Sequence, residues 1–292
     1  MALLNSPFAI DKPLLKRQLP QAIIDTANPV FDHDLRQVRW FRGQGSLKRG
    51  LYQLLGVCGL ITVLWLMFSA TGRLGPNPFA YRYRIFYVLR FGPTLSLIVS
   101  LLADVYYTMI TVNSINSQIE SGQWDLLRLT TLHEQDILAA KYSTAQLRGW
   151  RIMQWDRAFQ TVPALINVLW AFSSGFIYSE FYLIFPLSTF IMGFWVPLWR
   201  MRAVTALNLA VSSKVHNTTF GALAGLAGVF VLRIALVAIM PILFYLRFSL
   251  RLNPQDSFYA ITLLSGLITY GLYSVVKAGS LRYALRAAFH PE

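Results

Sequence analysis

The chain has 292 residues, of which 55% are hydrophobic and only 13% are charged, and its mean hydropathy is +0.47. Soluble domains carry about 25% charged residues, so this composition excludes an ordinary water-soluble enzyme and indicates a membrane protein. The net charge is +13, which fits Lys and Arg gathered on the cytoplasmic side of a membrane better than it fits nucleic-acid binding.

Residues 1–50 form a polar, basic leader that is interrupted by prolines. Arg36, Arg39 and Arg42 share one helical face, which predicts an interfacial helix on an anionic leaflet, with a solvated tail as the alternative. The first apolar run of spanning length begins near Leu51, which is too late for a cleavable signal peptide.

Six stretches are long and apolar enough to cross a hydrocarbon core of about 30 Å, which takes about 20 helical residues. They predict an all-α membrane protein with six transmembrane helices. With the N-terminus inside, most Lys and Arg outside the spans fall in cytoplasmic segments, so both termini are expected in the cytoplasm. The six stretches are 51–70, 85–112, 161–178, 181–211, 220–246 and 258–276.

The fourth stretch, 181–211, is longer than a membrane span requires. Because Arg200 and Arg202 follow Trp199, we expect the helix to leave the hydrocarbon core there and to continue as a cytoplasmic extension. A tilted span that holds these arginines in a wet cavity is the alternative.

The longest polar interruption, 120–141, lies between the second and third spans and predicts a two-part surface element. Its leucines recur at near-helical spacing between charged residues, as in an amphipathic helix. Thr130 and Thr131 favour a turn because their hydroxyl groups compete for backbone hydrogen bonds. We therefore expect a short helix, a break, and a second helix that begins near Glu134.

Three ionisable residues, Arg90, Asp104 and Arg233, lie inside predicted spans, where an unpaired charge is costly. Asp104 and Arg233 are close enough in depth to pair, whereas Arg90 lies near the outer surface. A structural pair that pins two helices is the favoured interpretation, and a polar patch on a substrate route is the alternative. Exchanging the two charges would test the pairing.

Small residues in the fifth span, with Gly221, Gly225 and Gly228 among them, allow close helix approach. Gly221 and Gly225 form a GxxxG motif. Packing within the chain and dimerisation explain this motif equally well.

No pattern in the sequence indicates catalysis. The histidines fall in predicted cytoplasmic or terminal segments, and neither an HExxH motif nor a phosphate-binding loop is present. Cys58 has no partner for an intrachain disulfide, and the short run from Asp32 to Asp34 is weak evidence for a cation site. We therefore expect no catalytic, metal or cofactor site on this chain.

The segment 120–141 resembles the cytoplasmic segment after the second span of ABC transporter permeases, in the exporter class that includes drug and polysaccharide exporters. The family pattern is approximately E-x-G-T-L-E-L-L-L-x-T-P-L-S-x-x-E-I-L-x-G-K. The matching positions are Glu120, Gly122, Trp124, Asp125, Leu126, Leu127, Thr130, Leu132, Asp136, Ile137, Leu138 and Lys141. The departures are Gln123, Thr131, His133 and Ala140, where the family has Thr, Pro, Ser and Gly.

The resemblance implies a permease domain, 51–280, between the leader and a cytoplasmic tail, 281–292, in a bacterial or archaeal plasma membrane. Two permease halves, identical or different, would pair above separate ABC ATPase subunits that bind ATP and Mg, and the complex would export an unknown substrate. The alternative is a non-transporting membrane scaffold.

Within this permease, the cytoplasmic segment 113–157 would couple ATP hydrolysis to the spans. Leu126, Leu127 and Leu129 would pack on the helix bundle, and the charged face would contact the ATPase. The residues implied in coupling are Glu120, Gly122, Trp124, Asp125, Arg128, Thr130, Glu134, Asp136 and Lys141.

Overall fold

A computed structural model describes residues 78–129, 132–173, 180–215, 217–249 and 254–289. Before them it describes only positions 30, 33–34, 38, 49, 52–53, 55–56, 58–60, 63 and 67. Every regular element in this part of the chain is an α-helix, and the described positions within 51–70 are helical. The predicted interfacial helix with Arg36, Arg39 and Arg42 lies outside the described residues.

Five long helices of 32 to 43 residues and one short helix make up the described fold. At 1.5 Å per residue the long helices measure about 48–65 Å, so each exceeds the thickness of a bilayer core. The helices are α1 Pro78–Glu120, α2 Gln123–Arg128, α3 Glu134–Ser173, α4 Glu180–Lys214, α5 Thr218–Ser249 and α6 Pro254–Phe289.

The predicted coupling segment 113–157 is therefore made of the ends of two long helices with a short helix between them. Gly122 ends α1 with a positive φ of 71°, a conformation that glycine adopts without strain. The second part of the segment begins at Glu134, as the sequence predicts. Glu134 and Asp136 lie in the first turn of α3, where negative charge stabilises a helix N-terminus.

α4 is the central helix, because it contacts each of the other four long helices. It runs unbroken past Pro186 and Pro197, and it buries Leu198, Met201 and Arg200 in the bundle. Arg200 thus lies in the interior of the bundle, and the expectation that α4 leaves the hydrocarbon core near Trp199 stays a prediction.

The described bundle places polar side chains inside and apolar side chains outside, which is the reverse of a water-soluble protein. Buried side chains include many polar groups, and long runs of large apolar side chains lie on the outside. Soluble proteins rarely expose continuous apolar surface of this kind, whereas it is normal where the surroundings are lipid. The exposed positions on α1 and α5 include Leu97, Leu101, Leu102, Val105, Phe230, Val231, Ile234 and Val237.

Within the described residues, two helical segments are long and apolar enough to cross a membrane, and they overlap the predicted spans 85–112 and 220–246. They are Ser96–Glu120 in α1 and Thr218–Ile239 in α5, with hydropathies of 1.4 and 2.4. In the most apolar 18-residue stretch of the α5 segment only 22% is buried, so this segment presents most of its apolar surface outward.

The glycines of α5 pack against neighbouring helices within the chain. A Cβ added to Gly221 would lie 3.1 Å from Val112 of α1, and one added to Gly228 would lie 3.0 Å from Leu207 of α4. At Gly225 an added Cβ would clash with Asn208 Oδ1 and would lie 3.0 Å from Thr108 Cγ2. The GxxxG motif is thus occupied by intrachain packing.

We expect Gly225→Ala to destabilise the fold by about 1–3 kcal/mol, because the added methyl group overpacks the contact between α1, α4 and α5. Gly271→Ala in α6 is the matched control, since a Cβ there meets no atom within 4 Å. The control is expected to be neutral or to stabilise by about 0.5–1 kcal/mol through helix propensity. Unfolding in detergent measures both variants, and equal effects would contradict the packing account.

Candidate functional site

Four helices each place one charged side chain at a common point inside the bundle. Asp104 comes from α1, Asp156 from α3, Arg200 from α4 and Arg233 from α5, and Ser100 lies one turn from Asp104. The spacing of four residues puts Ser100 and Asp104 on the same face of α1. We refer to these five residues as the charge cluster.

Arg233 makes the predicted pair with Asp104. Its Nε donates to Asp104 Oδ2 at 2.6 Å, and one terminal nitrogen donates to Ser100 Oγ at 2.6 Å. The Arg233 side chain is 18% exposed, whereas the Asp104 side chain is buried. The pair joins α1 to α5.

Arg200 contacts both carboxylates of the cluster and is buried more deeply than Arg233. Its Nε is 3.1 Å from Asp104 Oδ1, and its two terminal nitrogens donate to Ser100 and Asp156. Gln160 Nε2 donates to the remaining oxygen of Asp156 at 3.0 Å. Asp104 is thus the counter-ion of two guanidinium groups.

The charge cluster is electrically balanced, with two carboxylates and two guanidinium groups. A buried ion is tolerated only when its partners replace the lost water, and here each carboxylate has more than one partner, although Asp104 Oδ1 and Arg200 Nε meet as an ion pair without a hydrogen bond. Because the four charges come from four different helices, the cluster fixes the relative register of α1, α3, α4 and α5.

Arg157, next to Asp156 in the chain, adds a further buried cation. Its guanidinium lies 4.4 Å from the centroid of the Phe194 ring, which is a cation–π contact. None of its side-chain nitrogens has a hydrogen-bond partner among the residues that the structure describes, and the same holds for both polar atoms of Gln154 and for the Tyr107 hydroxyl. Buried groups of this kind are usually satisfied by internal water.

The short helix α2 is anchored on the bundle by Trp124, which is only 6% exposed. Trp124 belongs to a hydrophobic cluster with Ile115 of α1, Ile137 of α3, Leu209 of α4 and Ala284 of α6. Trp124 therefore belongs to a hydrophobic cluster to which four long helices contribute near their ends.

The packing face of α2 differs from the one expected. Leu127 packs against the bundle with Trp124, but Leu126 and Leu129 are 66% and 82% exposed, so the expectation that these two leucines face the bundle is wrong. The side chains of Asp125 and Arg128, and all of Thr130, lie outside the described part of the structure.

The remaining coupling residues lie around α2 in different environments. Glu120 is exposed and accepts a hydrogen bond of 2.9 Å from Thr218 Oγ1 at the start of α5. Gly122 and Asp136 are exposed, and Glu134 is half-buried. Lys141 is buried, so it does not belong to the exposed surface around α2.

Lys141 forms a buried ion pair with the leader, because its ammonium donates to Asp34 Oδ2 at 2.5 Å. Burial lowers the pKa of Lys141, and the Asp34 carboxylate opposes this shift. The pair ties position 34 to the first turns of α3. Arg90 belongs to α1 by its backbone, and its side chain lies outside the described residues.

We expect Asp34→Asn to destabilise the protein by about 1.5–3 kcal/mol, because Lys141 stays buried without its counter-ion. The folded-state pKa of Lys141 then falls further, so the variant should regain stability as pH rises from that value toward the ordinary lysine pKa. Unfolding measured across pH tests this. Adding Lys141→Met should remove the pH dependence, and a pH dependence that persists in the double variant would contradict the assignment.

Sequence reasoning found Asp104 and Arg233 but missed Asp156, Arg200 and Ser100. The four-residue repeat of polar side chains at Ser100, Asp104 and Thr108 is the signal that would have identified a polar face inside an apolar helix. Among the described residues, no group of three or more His, Cys, Asp or Glu side chains is arranged to hold a metal ion. A scan of protein-family models and a search of curated proteins both found no match to this chain.

Proposed function

We propose that this chain is the membrane-spanning permease subunit of an ABC exporter. In this proposal it crosses the membrane six times, with both termini in the cytoplasm, and pairs with a second permease half. ATP and Mg bind to a separate ATPase subunit. The sequence resemblance of 120–141 and the apolar outer surface of the bundle both support the proposal.

The observation that carries the proposal is the placement of α2. Trp124 anchors this helix in a hydrophobic cluster to which four long helices contribute, while Leu126 on the helix and Leu129 just past its end remain exposed. Exposed apolar side chains on a short surface helix are suited to docking a partner protein. A force on α2 would reach α1, α3, α4 and α6 through one hydrophobic cluster, which is the linkage that a transporter requires.

Co-purification with an ABC ATPase subunit encoded beside this gene tests the proposal. The double variant Leu126→Ala with Leu129→Ala should weaken binding at least about tenfold, because it truncates two exposed anchors without touching the buried face of α2. Leu263→Ala with Leu267→Ala, which truncates two exposed leucines in a predicted membrane span of α6, is the matched control. Unchanged binding of the double variant would contradict the docking surface.

A non-transporting scaffold subunit is the second candidate, and one observation favours it. Asp104, Asp156 and Arg200 are buried and mutually paired, an arrangement that suits rigid packing as well as it suits a transport route. Purification of the chain with other membrane proteins and without an ATPase would support this candidate.

A further inference from the structure

A groove of 430 Å³ lies where α4, α5 and α6 meet. Its walls are mostly apolar, with Leu207, Ala210 and Val211 from α4 and Ala224 from α5. This volume falls within the range of about 300–1,000 Å³ that is typical of small-molecule sites. Gly279 forms part of the α6 wall, and a Cβ added there would meet no atom within 4 Å, so the groove is open beside it.

The polar side chains that line the groove are Lys214, Ser280 and Tyr283. Lys214 is exposed in the last turn of α4. Within the described part of the chain, no carboxylate oxygen lies within 4.0 Å of the Lys214 ammonium. The groove thus combines an apolar wall with a cation and two hydroxyl groups.

The helices that line this groove carry more basic than acidic residues, and Glu120 of α1 lies at the start of α5, where it accepts a hydrogen bond from Thr218. Asp256 is the single acidic residue between positions 181 and 291. It precedes Ser280 by 24 residues, which is about 36 Å along α6. Lys277 and Arg282 lie close to the groove-lining residues of α6 in the sequence, and their positive charges together with that of Lys214 favour an anionic ligand.

We propose that this groove binds one anionic phospholipid, with an acyl chain along the apolar wall and the phosphate group at Lys214. A small water-soluble anion would leave the apolar wall exposed, and a zwitterionic lipid would bring a second cation to the lysine together with its phosphate. In the proposed topology, Lys214 and Ser280 lie at the cytoplasmic surface, where anionic lipids are concentrated. The site requires a membrane location but no ATPase, so this proposal and the coupling proposal can fail separately.

Lipid binding by the full-length protein, purified in a neutral detergent, tests the site with phosphatidylglycerol and phosphatidylcholine as probes. The wild type should bind phosphatidylglycerol more tightly. Lys214→Gln should weaken that binding about fivefold and leave phosphatidylcholine binding unchanged. Gly279→Leu should weaken phosphatidylglycerol binding about tenfold or more, because the leucine fills the groove.

Two variants control for charge and for side-chain size. Arg151→Gln removes an exposed positive charge on α3, away from the groove, and Gly271→Leu adds the same side chain to α6 where space is also open. Both should bind like the wild type. Equal binding of the two lipids by the wild type, or equal losses in the controls, would overturn the site. A Gly279→Leu variant that changes the oligomeric mass would instead assign the groove to a second copy of the chain and would also overturn it.

Discussion

Asp104→Asn is expected to destabilise the protein by about 3–5 kcal/mol, one of the largest effects for a single change of one polar group. Asp104 contacts both Arg200 and Arg233, so its loss leaves two guanidinium groups without their shared counter-ion. Arg233→Gln should destabilise the protein less than Asp104→Asn, because the Arg233 side chain is partly exposed and Asp104 keeps Arg200 as a partner. Unfolding in detergent or bicelles measures both variants.

A double-variant cycle isolates the pair. In the Asp104→Asn, Arg233→Gln protein one of the two stranded cations is absent, so the total loss should be smaller than the sum of the two single losses. The difference should be about 1–3 kcal/mol. Additivity within about 0.5 kcal/mol would contradict direct coupling between these side chains.

The geometry also changes how the pair must be tested. Exchanging the charges, with Asp104→Arg and Arg233→Asp together, would place a new cation beside Arg200. The exchange is therefore expected to fail even though Asp104 and Arg233 are in contact. Without knowledge of the Arg200 contact, that failure would be taken as evidence against the pair.

Trp124→Ala is expected to release α2 from the bundle and to cost up to about 3–5 kcal/mol, the range for truncating a buried tryptophan. The removed ring fills a cluster shared by four helices, so the cavity cannot be closed by moving one of them. Limited proteolysis should detect the release as faster cleavage within 121–133, and thermal unfolding should detect the lost stability.

Trp155→Ala is the matched control for this change. Trp155 is 62% exposed on α3, so its removal should shift stability by less than about 0.5 kcal/mol and should leave the cleavage rate unchanged. Equal behaviour of the two variants would show that Trp124 does not anchor α2. ATPase binding measured on both variants then separates the anchor from the docking leucines.

Local signals predicted the interruption between the two long helices correctly. Thr130 and Thr131 indicated the break, and the helix expected to begin near Glu134 begins there. The Asp104–Arg233 contact was also predictable, because a buried charge in an apolar helix needs a partner and few were available. These features depend on short-range chemistry or on the small number of possible partners for a buried charge.

Asp156 and Arg200 were missed for a physical reason. Hydropathy reasoning treats a charged residue at the end of an apolar run as the end of the buried segment. In the bundle, α3 and α4 continue past these residues, and the two opposite charges enter the interior because they neutralise each other. Such pairing depends on which helices are neighbours, and the sequence of one helix does not contain that information.

The packing face of α2 was predicted incorrectly because the helix has only six residues. Trp124 and Leu127 lie on one face, and Leu126 and Leu129 lie on another, so apolar spacing allowed either face to be buried. The cluster on the long helices accommodates the tryptophan, and the two leucines are left exposed.

Site-specific cross-linking from α2 tests the central claim, that this helix docks an ATPase on the cytoplasmic side. Leu129→Cys in a Cys58→Ser background provides a single exposed thiol on the face away from the bundle. The account predicts that this thiol cross-links to the co-expressed ATPase subunit and is protected from an impermeant reagent added outside intact cells. Labelling from the outside, or no cross-link to an ATPase that is present, would contradict it.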